Sequence, residues 1–210
     1  WMELRLGQVH ARRGDVVTAA SHLEAAIAGL GDPSTDRRAR ECLVERSVVT
    51  LRAGDLKGAR AMAGRAREAA EAAGDATTTG LALRISGLVA RERGDLAAAR
   101  DALERSLEIA SAGADPAAAI AAGNALALVP AASGDREGAV DRLLAARDTA
   151  ARTGERHLEA AIENNLADQL HALGRADDAM THLRRAVALF ADIGGRPGEL
   201  EPEIWKLVAW

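Results

Sequence analysis

The side chains that could do chemistry are few and scattered. The histidines are His10, His22, His157, His171 and His182, and no two form an HExxH pair, whose spacing would set two imidazoles around zinc on one helix face. Asp168 and His171 stand three apart, which puts a carboxylate and an imidazole on one helical face where a metal could sit, but no further ligands accompany them. Cys42 is the single cysteine, so it forms no internal disulfide, and no histidine stands near it in the sequence to make it a nucleophile. Lack of disulfides fits a reducing, cytoplasmic compartment. Glu159 and Glu163 are four apart, a pairing that solvated helix faces show routinely. No GxxxxGK[ST] loop is present to cradle a phosphate. The reading is therefore no catalytic residue, no metal, no cofactor and no enzyme activity.

Charge excludes two further classes. The net charge is -4, with 27 basic residues against 31 acidic ones, so there is no bulk attraction to nucleic acid or to an anionic membrane. The doublets Arg12-Arg13, Arg37-Arg38 and Arg184-Arg185 are balanced by acids and lack aromatic stacking partners, which reads as solvated surface. No apolar run reaches the ~18 residues of a membrane span. The expectation is a cytoplasmic chain without direct nucleic-acid or membrane contact.

What must position any site is helix. The chain holds 50 alanines in 210 residues but one Phe, no Tyr and three Trp, so its core is built on small aliphatic side chains. Only five prolines accompany this Ala, Leu, Arg and Glu load, which favours helix over sheet. The organisation is periodic. Gly14-Asp15, Gly54-Asp55, Gly94-Asp95, Gly134-Asp135 and Gly174-Arg175 recur every 40 residues. Three small-residue columns keep the same register: Gly7, Ser47, Gly87, Ala127, Ala167; then Ala19, Ala59, Ala99, Ala139, Ala179; then Ala26, Ala66, Ser106, Ala146, Ala186.

A second series, Gly31, Gly74, Gly113, Gly154 and Gly194, lies roughly midway, and two stop signals per period mean two helices per period. Asp115-Pro116 is a start signal, and Ser34, Asp75 and Thr153 stand where other helices should begin. Small residues either side of each Gly turn let two antiparallel helices close on one another. Leu23, Leu103, Leu143 and Leu183 are then expected to fill the space between one pair and the next, with looser packing where Ala63 breaks the column. Pro130 should kink or shorten its helix.

The segments Leu6–Asp15 and Asn164–Arg175, with Ala179 and Ala186 following, resemble the first helix, turn and small positions of the tetratricopeptide repeat (TPR) family. The 40-residue period exceeds the usual ~34. Such long units resemble the C-terminal helical sensor regions of bacterial STAND ATPases and large ATP-binding LuxR-type regulators. The resemblance implies an all-α, right-handed superhelical α-solenoid of five helix pairs and a C-terminal capping helix. The units are 1–34 (six residues short, read as truncated), 35–74, 75–114, 115–154 and 155–194, with 195–210 as the cap. It further implies a groove lined by first helices, where Arg84, Leu88, Arg91, Asn124, Asn164, Asp168 and His171 would meet a protein or peptide segment. The asparagines could instead tie neighbouring helices together. The expected function is a non-catalytic binding scaffold in a larger signalling ATPase or transcriptional regulator, with a stand-alone adaptor or chaperone-like module as the alternative.

Overall fold

The computed structural model describes residues 2–194, and the expected cap helix at 195–210 lies outside the described residues. Regular structure among the described residues is entirely helical: α1 (Met2–Arg12), α2 (Val16–Gly29), α3 (Arg37–Arg52), α4 (Leu56–Ala72), α5 (Ala76–Glu92), α6 (Leu96–Ala112), α7 (Pro116–Ala132), α8 (Arg136–Thr153), α9 (Arg156–Ala172) and α10 (Ala176–Asp192). Each odd-numbered helix packs on the even-numbered one that follows it, giving five pairs. The chain forms two compact units, one of α1–α6 ending at Ala114, the other of α7–α10 starting at Asp115.

The turns follow from local chemistry. Gly14, Gly54, Gly94, Gly134 and Gly174 all take positive φ, between 74° and 96°, which a side chain would resist. The backbone N–H after each glycine then reaches back five residues, as Asp95 does to the Ala90 carbonyl at 2.9 Å, closing the preceding helix. Each of α2 to α8 starts at an aspartate whose carboxylate accepts a backbone N–H of the first turn. Glu155 and Arg175, which open α9 and α10, make no such bond.

Close approach within a pair explains the small columns. All five alanines from Ala19 to Ala179 are fully buried. A Cβ at Gly87 would lie 2.6 Å from Leu103 Cγ and 3.2 Å from the Ala99 carbonyl oxygen, and one at Gly7 would lie 2.7 Å from Leu23 Cγ. Leu23 and Leu103 thus fill space inside their own pair, against the glycine of the first helix, rather than only between pairs as expected. Leu23 also belongs to a core cluster with Cys42 and Val49 of α3.

Other expectations are corrected. Ala63, where the leucine column breaks, is fully buried in one cluster with Leu43, Ile85 and Val89. Pro130 does not end α7 early; the helix runs on to Ala132. Proline removes its own N–H, yet the Pro130 carbonyl still accepts from Asp135 at 3.0 Å to close the turn. Helix α3 starts at Asp36 rather than Ser34, and Thr153 ends α8 rather than opening α9. After α6 the left-handed residue is Ala114 (φ 52°), one place beyond Gly113.

Candidate protein-binding face

First helices of successive pairs touch one another, α1 on α3 and α3 on α5 in one unit, α7 on α9 in the other. Their shared face is where the sequence placed a groove. In the α1–α6 unit a polar line crosses it: Gln8 Nε2 donates to Glu45 Oε1 at 3.0 Å, and the Glu45 carboxylate acts electrostatically on Arg84 of α5.

Arg84 is the anomaly of this face. At its register the earlier first helices carry Leu4 and Val44, both buried, and the later ones carry the uncharged Asn124 and Asn164. Helix α5 puts a guanidinium there instead. Its Nε is buried without a hydrogen-bond partner. Burial pushes the Arg84 pKa below the ordinary arginine value, opposed by the nearby Glu45 charge. A buried polar group left unsatisfied is destabilising in a free protein.

Leu88 and Arg91 stand four and seven residues on, on the same face of α5. With Leu51, Leu56, Gly54 and Glu92 they line a cavity of about 340 Å³ beside the α3–α4 turn. The Arg91 guanidinium is held by its neighbour Glu92 at 2.7 Å.

The remaining candidates lie in the other unit. Asn124 Oδ1 accepts from Asn165 Nδ2 at 2.9 Å, tying α7 to α9. This is the helix-tying role, and the partner is Asn165 rather than Asn164. Asn164, Asp168 and His171 share one face of α9 by spacing; Asp168 is half-buried and His171 exposed. Among the described residues no group of three potential ligands is arranged to hold a metal, and no helix is long and apolar enough to cross a membrane.

One buried pair escaped the sequence reading. Glu163 is not at a solvated face; it is fully buried, with His182 Nδ1 2.5 Å from one carboxylate oxygen and Arg185 Nε 3.7 Å from the other. Four periods earlier, Glu3 and His22 repeat the pairing at 2.6 Å, where His22 also stacks on His10 with ring centroids 5.4 Å apart. The signal was available: Glu3 and Glu163 share a register, as do His22 and His182.

No protein-family model and no curated protein sequence matches the chain. Solved structures do. A putative kinesin light chain of Podosopora anserina with TPR-like repeats is similar at TM-score 0.62 and 17% identity, over 91% of this chain and 94% of that one. The fold is TPR-like. A STAND protein with a tetratricopeptide repeat sensor from Pyrococcus horikoshii gives TM-score 0.67 and 16% identity, over 90% of this chain and 29% of that one. A Rap protein solved in complex with the Competence and Sporulation Factor gives TM-score 0.69 and 16% identity, over 83% and 48%. At these identities the likeness establishes the fold. In TPR terms, Arg84, Leu88 and Arg91 stand on the first helix of the third repeat, and Asn124 and Asn164 on those of the fourth and fifth.

Proposed function

We propose that this chain is a non-catalytic, cofactor-free scaffold that binds a protein or peptide segment on its first-helix face, and that it serves as the C-terminal sensor region of a larger bacterial signalling ATPase or transcriptional regulator in the cytoplasm. The observation that carries the binding role is Arg84, a largely buried cation with an unsatisfied Nε at a position where the other repeats hold the uncharged Leu4, Val44, Asn124 and Asn164. A partner carboxylate reaching Arg84 would form a charge-assisted bond in a desolvated setting, where such bonds are strong. An apolar neighbour of that carboxylate would rest on Leu88 and Leu51, and the binding would relieve a cost that the free protein carries.

The sensor role is supported by the 40-residue units and by the STAND structure, of which this chain matches a part. The similarity that spans 94% of the kinesin light chain structure favours the alternative, a stand-alone adaptor. Coding sequence upstream of Trp1 separates the two: a Walker motif and a helix-turn-helix support the regulator, and a start codon within a repeat or two supports the adaptor.

The binding role is tested with Arg84→Met, which keeps an apolar stem of similar length. The variant should melt at the same temperature as the parent or higher, because it removes a buried Nε–H that has no partner. It should also lose roughly 10- to 150-fold in affinity for peptides carrying a single glutamate flanked by leucines, the worth of one hydrogen bond to a charged group. A variant that melts lower and binds unchanged would show that Arg84 is structural.

A further inference from the structure

On the opposite side of α5 from its partner-facing residues lies a second groove, about 410 Å³, between the second helices α4 and α6. Its volume is within the ~300–1,000 Å³ range of ligand cavities. The groove exists because its walls and floor are small: Gly64 on α4, Ala90 on α5, Ala98 and Ala102 on α6, with buried Leu83 and Val89 beneath. Around this apolar floor stand Arg60, Arg67, Arg93 and Arg105.

The charge is unbalanced. The side chains of Arg60, Arg93 and Arg105 are exposed and make no hydrogen bond or ion pair among the described residues, while that of Arg67 meets only Glu71, at 3.8 Å on its own helix. Two carboxylates share the groove, and Asp95 is committed to capping α6 through the Ala98 N–H. That leaves Asp101 against four guanidiniums in a chain whose net charge is -4. Nor is this a property of the repeat. One period earlier the four arginine positions hold Ala20, Ile27, Ala53 and Arg65, and one period later Arg100, Leu107, Ser133 and Ala145. A periodic chain departs from its own pattern here.

We propose that the α4–α6 groove is a second docking surface, which takes an acidic segment of a partner protein with apolar side chains alternating among its carboxylates. The apolar side chains lie on Leu83, Val89 and Ala102, and the carboxylates meet the arginine rim. Arginine suits this role because its planar fork pairs with carboxylates through two parallel bonds. The site is separate from the first-helix face: Arg84 does not line it.

The test uses the full chain carrying Arg84→Met, so that the first-helix face takes no part, and a labelled peptide of alternating glutamate and leucine, read by fluorescence anisotropy. Binding should weaken with added salt. Arg60→Ala combined with Arg105→Ala should weaken it about tenfold, whereas Arg65→Ala with Arg100→Ala, on the same helices outside the groove, should leave it unchanged. A glutamine-for-glutamate peptide should not bind. Equal losses in both arginine pairs would overturn the proposal, as would a peptide that binds the parent but not the Arg84→Met chain. Single-stranded oligothymidylate that binds as tightly and suffers the same tenfold loss would also overturn it, marking a phosphate-binding surface instead.

Discussion

Gly87→Ala adds one methyl group where α5 and α6 meet closely, and the outcome turns on two opposing terms. Alanine in a helix interior is better than glycine by roughly 0.8–1 kcal/mol. Against that, the new Cβ would lie 2.6 Å from Leu103 Cγ, 2.9 Å from Leu103 Cδ2 and 3.2 Å from the Ala99 carbonyl oxygen. Leu103 is fully buried and the carbonyl belongs to the α6 backbone, so either the leucine is forced from its place or the helices part. Overpacking of this kind typically costs about 1–3 kcal/mol. Gly64→Ala supplies the reference, since it gains the same helix preference and a Cβ there meets nothing within 4 Å. Subtracting the two cancels the helix term and isolates the clash. For a domain of this size each kcal/mol moves the melting temperature by about 2–4 °C. Gly64→Ala should therefore melt above the parent, and Gly87→Ala should melt roughly 2–12 °C below Gly64→Ala. Adding Leu103→Ala to Gly87→Ala should cost less than the sum of the two changes, because they share one contact. Equal stabilisation by both alanines would refute the close-approach account of the small columns.

Three further outcomes follow from the caps and the buried polar groups. Glu155 opens α9 without a side-chain cap bond; Glu155→Asp, matching the aspartates that open α2 to α8, should stabilise the protein by about 0.5–1 kcal/mol in urea denaturation. Burial, reinforced by the Glu41, Glu45 and Asp36 carboxylates, pushes the Cys42 thiol up to about 11. The folded protein then keeps a proton that the unfolded chain releases near pH ~8.5, so stability should decline as pH rises from there towards 11, and Cys42→Ala should flatten that decline. His182→Ala should destabilise by about 1–3 kcal/mol by leaving one oxygen of the buried Glu163 carboxylate without a partner, Arg185 staying 3.7 Å from the other, whereas His22→Ala should cost much less, because Glu3 keeps access to water.

Legibility in the sequence tracked how local each demand was. The Gly14 to Gly174 series was readable because a positive φ selects glycine residue by residue. The small columns were readable because close approach selects side-chain volume at a fixed register. Helix starts were harder, since several oxygen-bearing side chains compete within a few residues. Ser34 looked like a cap, but its N–H is taken by Asp32 Oδ1 at 2.8 Å, inside the turn that precedes Asp36. Thr153 turns its hydroxyl back to the Thr149 carbonyl at 3.0 Å and so finishes α8. The candidate site was least legible, because spacing along one helix does not say which neighbour its side chains meet. Asn124 was correctly placed on a first helix, yet its bond to Asn165 depends on how α7 lies on α9. Glu159 and Glu163 looked alike in the sequence, and only the pairing of α9 with α10 buries Glu163 against His182. The burial of Arg84 likewise depends on α3 lying beside α5.

The central claim, that the first-helix face beside Arg84 takes a carboxylate from a partner segment, is open to direct observation. In the ¹⁵N-labelled protein the Arg84 Nε–H resonance, assigned by its loss in Arg84→Lys, reports on the guanidinium nitrogen that, among the described residues, is buried without a partner. Titration with a peptide of one glutamate flanked by leucines should shift that resonance and slow its exchange with water, and the glutamine counterpart should leave it in place. A peptide that saturates the chain while the Arg84 Nε–H resonance stays unmoved would contradict the account.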